Sequence, residues 1–239
     1  ALDCDDANDC TTDTCDPNAG CVHAFTVGPC DDGNPCTEGD TCAAGACKPG
    51  KAKACSDGDP CTIDTCVAND HCESVAEPRP ASSCFLAGKS KLKVTDSVLD
   101  YKDKFQWMFS AGDAFSQSDL GDPTAGTDYT LCVYDATAGT RRVAMQLELP
   151  AGSPYWSVVA PKGVVWSNSI YSIDGVKKLQ VIPGLAGKTK VKLQAVGSPL
   201  PLAAPYSGSE FFDNDPSVVV QLLTSDHCWT TTFATPAIN

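Results

Sequence analysis

Thirteen cysteines fall within the first 84 residues at spacings that repeat. They run Cys4-x5-Cys10-x4-Cys15-x5-Cys21, then Cys30-x5-Cys36-x5-Cys42-x4-Cys47, then Cys55-x5-Cys61-x4-Cys66-x5-Cys72, and end at Cys84. The filler is Asp, Asn, Gly, Thr and Pro, with almost no Leu, Ile or Phe. Such a stretch cannot close a hydrophobic core, so covalent bridges must order it. Disulfides persist only where the surroundings are oxidising, which places the chain outside the cytosol. A period of about 26 residues marks a linear array whose units touch mainly their neighbours.

Each unit carries an Asp/Gly/Pro turn ahead of its second cysteine: Asp5-Asp6-Ala7-Asn8-Asp9, Asp31-Asp32-Gly33-Asn34-Pro35 and Ser56-Asp57-Gly58-Asp59-Pro60. The next segments are Cys10-Thr11-Thr12-Asp13-Thr14-Cys15, Cys36-Thr37-Glu38-Gly39-Asp40-Thr41-Cys42 and Cys61-Thr62-Ile63-Asp64-Thr65-Cys66. This pattern resembles the C-T-x-D-x-C repeats of slime-mould extracellular matrix proteins. It is also similar to cysteine arrays of secreted deltaproteobacterial, myxobacterial-type proteins. The resemblance covers the first third of the chain and implies a stalk or matrix role.

Two readings of the acidic positions stand side by side. Asp5, Asp9 and Asp13, then Asp31, Asn34 and Asp40, then Asp57, Asp59 and Asp64 offer hard oxygen ligands suited to calcium. The alternative is that these side chains bond nearby backbone amides in Asx-turns. Zinc is disfavoured, because oxidised cysteines are no ligands and only His23, His71 and His227 are available to replace them.

The chain has 15 cysteines, an odd number. One framing closes units at Cys4–Cys21, Cys30–Cys47 and Cys55–Cys72 and sends Cys84 onward with Cys132 and Cys228. Another begins units at Cys10, Cys36 and Cys61, uses Cys84 to close the third, and pairs Cys132 with Cys228. The second framing is preferred here. It makes disulfide cysteines of Cys10, Cys15, Cys21, Cys30, Cys36, Cys42, Cys47, Cys55, Cys61, Cys66, Cys72, Cys84, Cys132 and Cys228, and leaves Cys4 as an intermolecular thiol.

Residues 77–83 read as a Pro/Ser joint between the repeats, 1–76, and a second part, 84–239. There the hydrophobic period becomes two. Phe105, Trp107 and Phe109 alternate with Gln106 and Met108, and Val191, Leu193 and Ala195 alternate with polar residues. Short β-branched and aromatic runs separated by Gly/Pro turns predict an antiparallel β-sandwich, jelly-roll-like in type. Lys188–Lys192 reads as a protected edge strand and Val218–Leu223 as an unprotected one. This half resembles an uncharacterised domain of secreted deltaproteobacterial proteins. The resemblance is carried by Lys102-Asp103-Lys104-Phe105-Gln106-Trp107, Gly121-Asp122-Pro123, Tyr129–Asp135, Val220-Gln221-Leu222 and Cys228-Trp229. It implies location and fold, and no chemistry.

The charge is lopsided: residues 1–83 carry 16 acidic against 4 basic side chains, in a chain of net −13. That balance argues against nucleic acid and anionic membrane surfaces as partners. No apolar run is long enough to span a bilayer. The chain opens at Ala1, read as a mature secreted chain whose signal peptide has been removed. Nucleophile-elbow, zinc-protease and phosphate-loop motifs are missing, so no enzyme is expected. Trp156 and Trp166 lie near turns and are read as surface aromatics for carbohydrate or an adjacent subunit. The function expected is that of a self-assembling subunit of an extracellular filament or surface layer. A stalked adhesin or carbohydrate binder is the alternative.

Overall fold

The computed structural model describes residues 3–67, 71–137, 140–202 and 217–234. The chain forms two compact units. The first is Ala1–Asp59 with Asp64–Val75, and the second is Pro60–Ile63 with Ala76–Asn239. Among the described residues the fold is mainly β, with three short 3-10 turns.

In the repeats, polar turns pin short hairpins. β1 (Thr11–Asp16) pairs with β2 (Gly20–Phe25), with Cys15 opposite Cys21. β3 (Thr37–Glu38) is matched with β6 (Lys51–Ala52), and β4 (Thr41–Ala43) with β5 (Ala46–Lys48), where Cys42 faces Cys47. β7 (Ile63–Val67) pairs with β8 (His71–Val75). The β4–β5 turn holds Ala44 and Gly45 at φ 52° and 77°. Two successive positive φ values match the right-handed twist of a two-residue hairpin.

The second unit is an antiparallel sandwich. Its strands are β9 (Phe85–Leu86), β10 (Lys89–Thr95), β11 (Lys104–Gly112), β12 (Tyr129–Thr137), β13 (Thr140–Leu149), β14 (Trp156–Val158), β15 (Val164–Ser167), β16 (Val176–Ile182), β17 (Thr189–Val196), β18 (Val218–Leu223) and β19 (Cys228–Phe233). One sheet runs β10-β11-β17-β16-β15-β14 and the other β13-β12-β18-β19-β9, whose last pair is parallel. The alternating apolar residues of β11 and β17 point inward, with Phe105, Trp107, Phe109, Val191 and Leu193 fully buried. They meet Leu131, Val133, Val220, Leu222 and Trp229 of the opposite sheet in one core.

The second sheet is covered on its outer face as well. Cys61, Cys132, Tyr134, Val219, Leu223 and Cys228 form a separate buried cluster there. The Tyr134 hydroxyl donates to the Cys61 carbonyl at 3.0 Å. This double burial corrects two expectations. β18 is a central strand between β12 and β19, and its unbroken burial, Gln221 included, reflects cover on both faces rather than an open edge. β17, with Lys190 and Lys192, is also interior, between β11 and β16. Among the described strands the sheet edges are β10, β14, β13 and β9.

The 77–83 joint is docked within the second unit. Gln221, buried on β18, accepts the Arg79 amide proton at 2.9 Å and donates back to the Arg79 carbonyl at 2.8 Å. Glu77 pairs with Arg141 at 3.2 Å. Gln221→Leu removes both bonds while keeping the volume, leaving two backbone groups without their partner. A loss of about 1–3 kcal/mol is expected, with faster amide exchange at Arg79 as the local readout.

Candidate functional site: the sulfur relay and the acidic turns

The disulfides follow a rule that neither framing contained in full. The first cysteine of a unit bonds the fourth: Cys30–Cys47 and Cys55–Cys72, each 17 residues apart. The second cysteine bonds the third cysteine of the following unit: Cys10–Cys42 and Cys36–Cys66. In the last unit the second cysteine, Cys61, bonds Cys132 on β12. Cys84 bonds Cys228.

The expected Cys132–Cys228 bond is therefore corrected. The two lie on β12 and β19 with β18 between them. Two strand spacings are about 10 Å, beyond the roughly 7 Å that a bridge spans between Cα atoms. Cys4, expected as an intermolecular thiol, is instead a buried sulfur with Cys15 and Cys21 of its own unit as neighbours, of which one disulfide takes one at a time.

The acidic side chains of the repeats mostly bond backbone. Asp6 Oδ1 accepts from the Asn8 amide at 3.0 Å and the Thr11 hydroxyl at 2.8 Å. Asp32 Oδ1 repeats this with Asn34 at 2.9 Å and Thr37 at 3.2 Å. Asp57 Oδ1 accepts from the Asp59 amide at 2.8 Å. Asn8 and Asn34 each cap the cysteine two residues on. Asp13 and Asp40 then accept from the Asp6 and Asp32 amides. The threonine and the two acids recur because together they fold the turn ahead of each hairpin.

Two groups of acidic side chains converge among the described residues: Asp6 with Asp13 and His23, and Asp31 with Asp32 and Asp40. Asp5 and Asp9 stand outside the first. Among the described residues Asp57, Asp59 and Asp64 form no such group. Sequence reasoning missed Asp6, Asp32 and His23. The signal for the two aspartates was their recurrence two residues after the first cysteine. Three ligand groups fall short of the six to eight oxygens calcium takes, so an ion would draw the rest from carbonyls and water.

In the first group His23 Nδ1 lies 2.7 Å from Asp13 Oδ1 and 3.3 Å from Asp6 Oδ2. In the second unit the amide of Gly50 donates to Asp40 Oδ1 at 2.8 Å, so the imidazole N–H of the first unit does what a backbone N–H does in the second. The Asp6 amide and the His23 ring hold the Asp13 carboxyl below its ordinary value, and Asp13 raises His23 above 6.5. A raised histidine stabilises below its unfolded pKa, and that contribution is lost as pH rises through the folded value. The lowered aspartate contributes above its unfolded value of 3.8 and loses this as pH falls. The pair is therefore strongest between those limits. The His23 ring protons should titrate with a midpoint above 6.5 by NMR, and Asp13→Asn should bring that midpoint down.

Other carboxylates are also engaged locally. Asp113 accepts from the Leu86 amide, Asp119 from Ser116, and Asp122 from Thr124. His227 lies 3.8 Å from Asp119 and against the Phe85 ring. Trp156 and Trp166, expected at the surface, are core residues instead, at 7% and 0% exposure. Their rings meet edge-on at 5.2 Å, and their N–H groups donate to the carbonyls of Pro150 and Val176. The alternation that buries Val164 and Trp166 on β15 decides this, not their distance from a turn.

Three segments, 3–24, 29–48 and 54–74, match the family described as the Dictyostelium (slime mold) repeat. They coincide with the three disulfide units. No curated protein and no solved structure matches the chain. Among the described residues no helix is long and apolar enough to cross a membrane.

Proposed function

We propose that the chain is a secreted, non-enzymatic structural protein, a self-assembling subunit of an extracellular filament or surface layer. The observation that carries this reading is the relay in which each unit's second cysteine bonds forward to the next unit. Such bonding makes a stalk that resists unfolding, and it serves an oxidising exterior. The acidic repeats add solubility. The partner in this reading is a second copy of the chain. Strand addition along an open sheet edge is the contact proposed, with β13 the candidate, because β10 carries Lys89, Lys91 and Lys93 as protection. The rival reading, a carbohydrate-binding adhesin, loses its stacking platform with Trp156 and Trp166 in the core.

Negative-stain microscopy and size-exclusion chromatography with light scattering test the proposal, in buffer alone, with EDTA, and with reductant. Filaments or layers in plain buffer are expected, and they should persist in reductant, because the β13 contact lies in the sandwich. A monomer under every condition would remove the reading. Loss of assembly in EDTA alone would assign calcium a role in the contact.

A further inference from the structure

The relay has a consequence at its first unit. In the second unit the third cysteine, Cys42, is buried because the preceding unit covers it through Cys10. The contact is more than a sulfur bond. Asn8, two residues ahead of Cys10, donates to the carbonyl of Gly45 in the β4–β5 turn at 2.9 Å. The third cysteine of the first unit is Cys15. It occupies the same hairpin position, opposite Cys21 as Cys42 is opposite Cys47, yet it is exposed. Its partner is Cys4, which the Cys21 sulfur also reaches; three sulfurs hold one bridge among them, so while Cys4 bonds Cys15, Cys21 is the thiol. A sulfur holds one disulfide, and the first-to-fourth rule of the other two units assigns Cys4 to Cys21.

We propose that the Cys4–Cys15–Cys21 cluster is an exchange site at which the second cysteine of a preceding unit of this repeat type bonds Cys15 while Cys4 closes onto Cys21. The incoming thiolate attacks the Cys15 sulfur, the Cys15–Cys4 bond breaks, and Cys4 leaves as a thiolate. Cys4 and Cys21 are then joined through a low-molecular-weight disulfide, which accepts the two electrons and departs as two thiols. A folded second copy of this chain cannot supply the attacking group, because Cys10, Cys36 and Cys61 are all bonded. The partner is thus a segment with an asparagine two places ahead of its cysteine, either upstream in one polypeptide or on a second protein built from such units. The inference deepens the structural reading by naming a partner, and the two fail separately.

The test uses the chain in a glutathione redox buffer with a synthetic peptide of sequence Asp31–Asp40, which carries one thiol. Non-reducing peptide mapping by mass spectrometry reads the bonds. The expected product has the peptide on Cys15 and a Cys4–Cys21 bridge, in several-fold higher yield than with a scrambled peptide. The Asn34→Ala peptide should fall toward the scrambled yield. A second arm fuses a copy of residues 25–50 ahead of Ala1 and maps the added second cysteine. Bonding to Cys15 in the fusion alone places the partner upstream in one chain, and bonding in both arms admits a second protein. A peptide found on Cys4 or Cys21, a yield equal to the scrambled control, or no adduct in either arm would overturn the proposal. Filaments from a chain that forms no Cys15 adduct would leave the assembly reading standing without the exchange site. A Cys15 adduct on a chain that stays monomeric would do the reverse.

Discussion

Full reduction should unfold the repeat unit while the sandwich strands stay protected from hydrogen exchange. The asymmetry follows from where apolar side chains are buried. Both hydrophobic clusters among the described residues lie in the second unit. Among the described residues of the first unit the buried apolar ones are Cys4, Cys10 and Cys42, all bridge cysteines. Its bonds close spans of 17, 32 and 30 residues. Each such closure is worth about 3 kcal/mol in the chain-entropy account, against a net domain stability of about 5–15 kcal/mol. Losing two or three of them removes the whole margin, and among the described residues no buried hydrophobic cluster stands behind the hairpins to replace them. The sandwich also loses Cys61–Cys132 and Cys84–Cys228, so its denaturation midpoint should fall. It keeps Trp107, Trp166, Trp229 and the residues around them, and should still unfold cooperatively. Exchange measured by mass spectrometry with and without a phosphine reductant gives the answer. Slow exchange of residues 11–25 and 41–48 in the fully reduced chain would show that something other than sulfur orders the repeats.

The sequence was most legible where one face of a strand meets water. β11 and β17 alternate, and their inward residues were readable from period alone. β18 was not, because both faces of its sheet are covered. A strand buried twice has no period, and Val218–Leu223 without its neighbours looks the same whether central or at an edge. The bridges show a similar limit. The constant separation of 17 residues between first and fourth cysteines hinted at the loops within units. Nothing in the spacing could show that the second and third cysteines bond across units, because that depends on how consecutive hairpins stack. Cys61 was harder still, since its partner on β12 is 71 residues away in the chain. The acidic turns were legible as turns. Which carboxylates converge was decided by the hairpin register, which sets His23 opposite Asp13.

Trp166→Ala is expected to destabilise the sandwich by about 3–5 kcal/mol, the range for truncating a large aromatic in a packed core. β15 sets Trp166 between Trp156 on β14 and Leu179 on β16. Its ring is fully buried, and Tyr155 and Trp156 each approach it to 5.2 Å between centroids. The cavity left behind is lined by strands that cannot collapse without breaking their ladder, so little of the loss is recovered. Trp166→Phe separates packing from hydrogen bonding. It keeps most of the ring contact and removes the 3.2 Å bond from the indole N–H to the Val176 carbonyl, for a smaller loss of about 1–3 kcal/mol. Urea denaturation followed by tryptophan fluorescence reads both, with an unchanged slope showing that stability alone has moved. An exposed tryptophan would give about 0.5 kcal/mol or less for either change. Equal midpoints for the native and Trp166→Ala chains would therefore return this residue to the surface, and with it the stacking platform that a carbohydrate-binding reading requires.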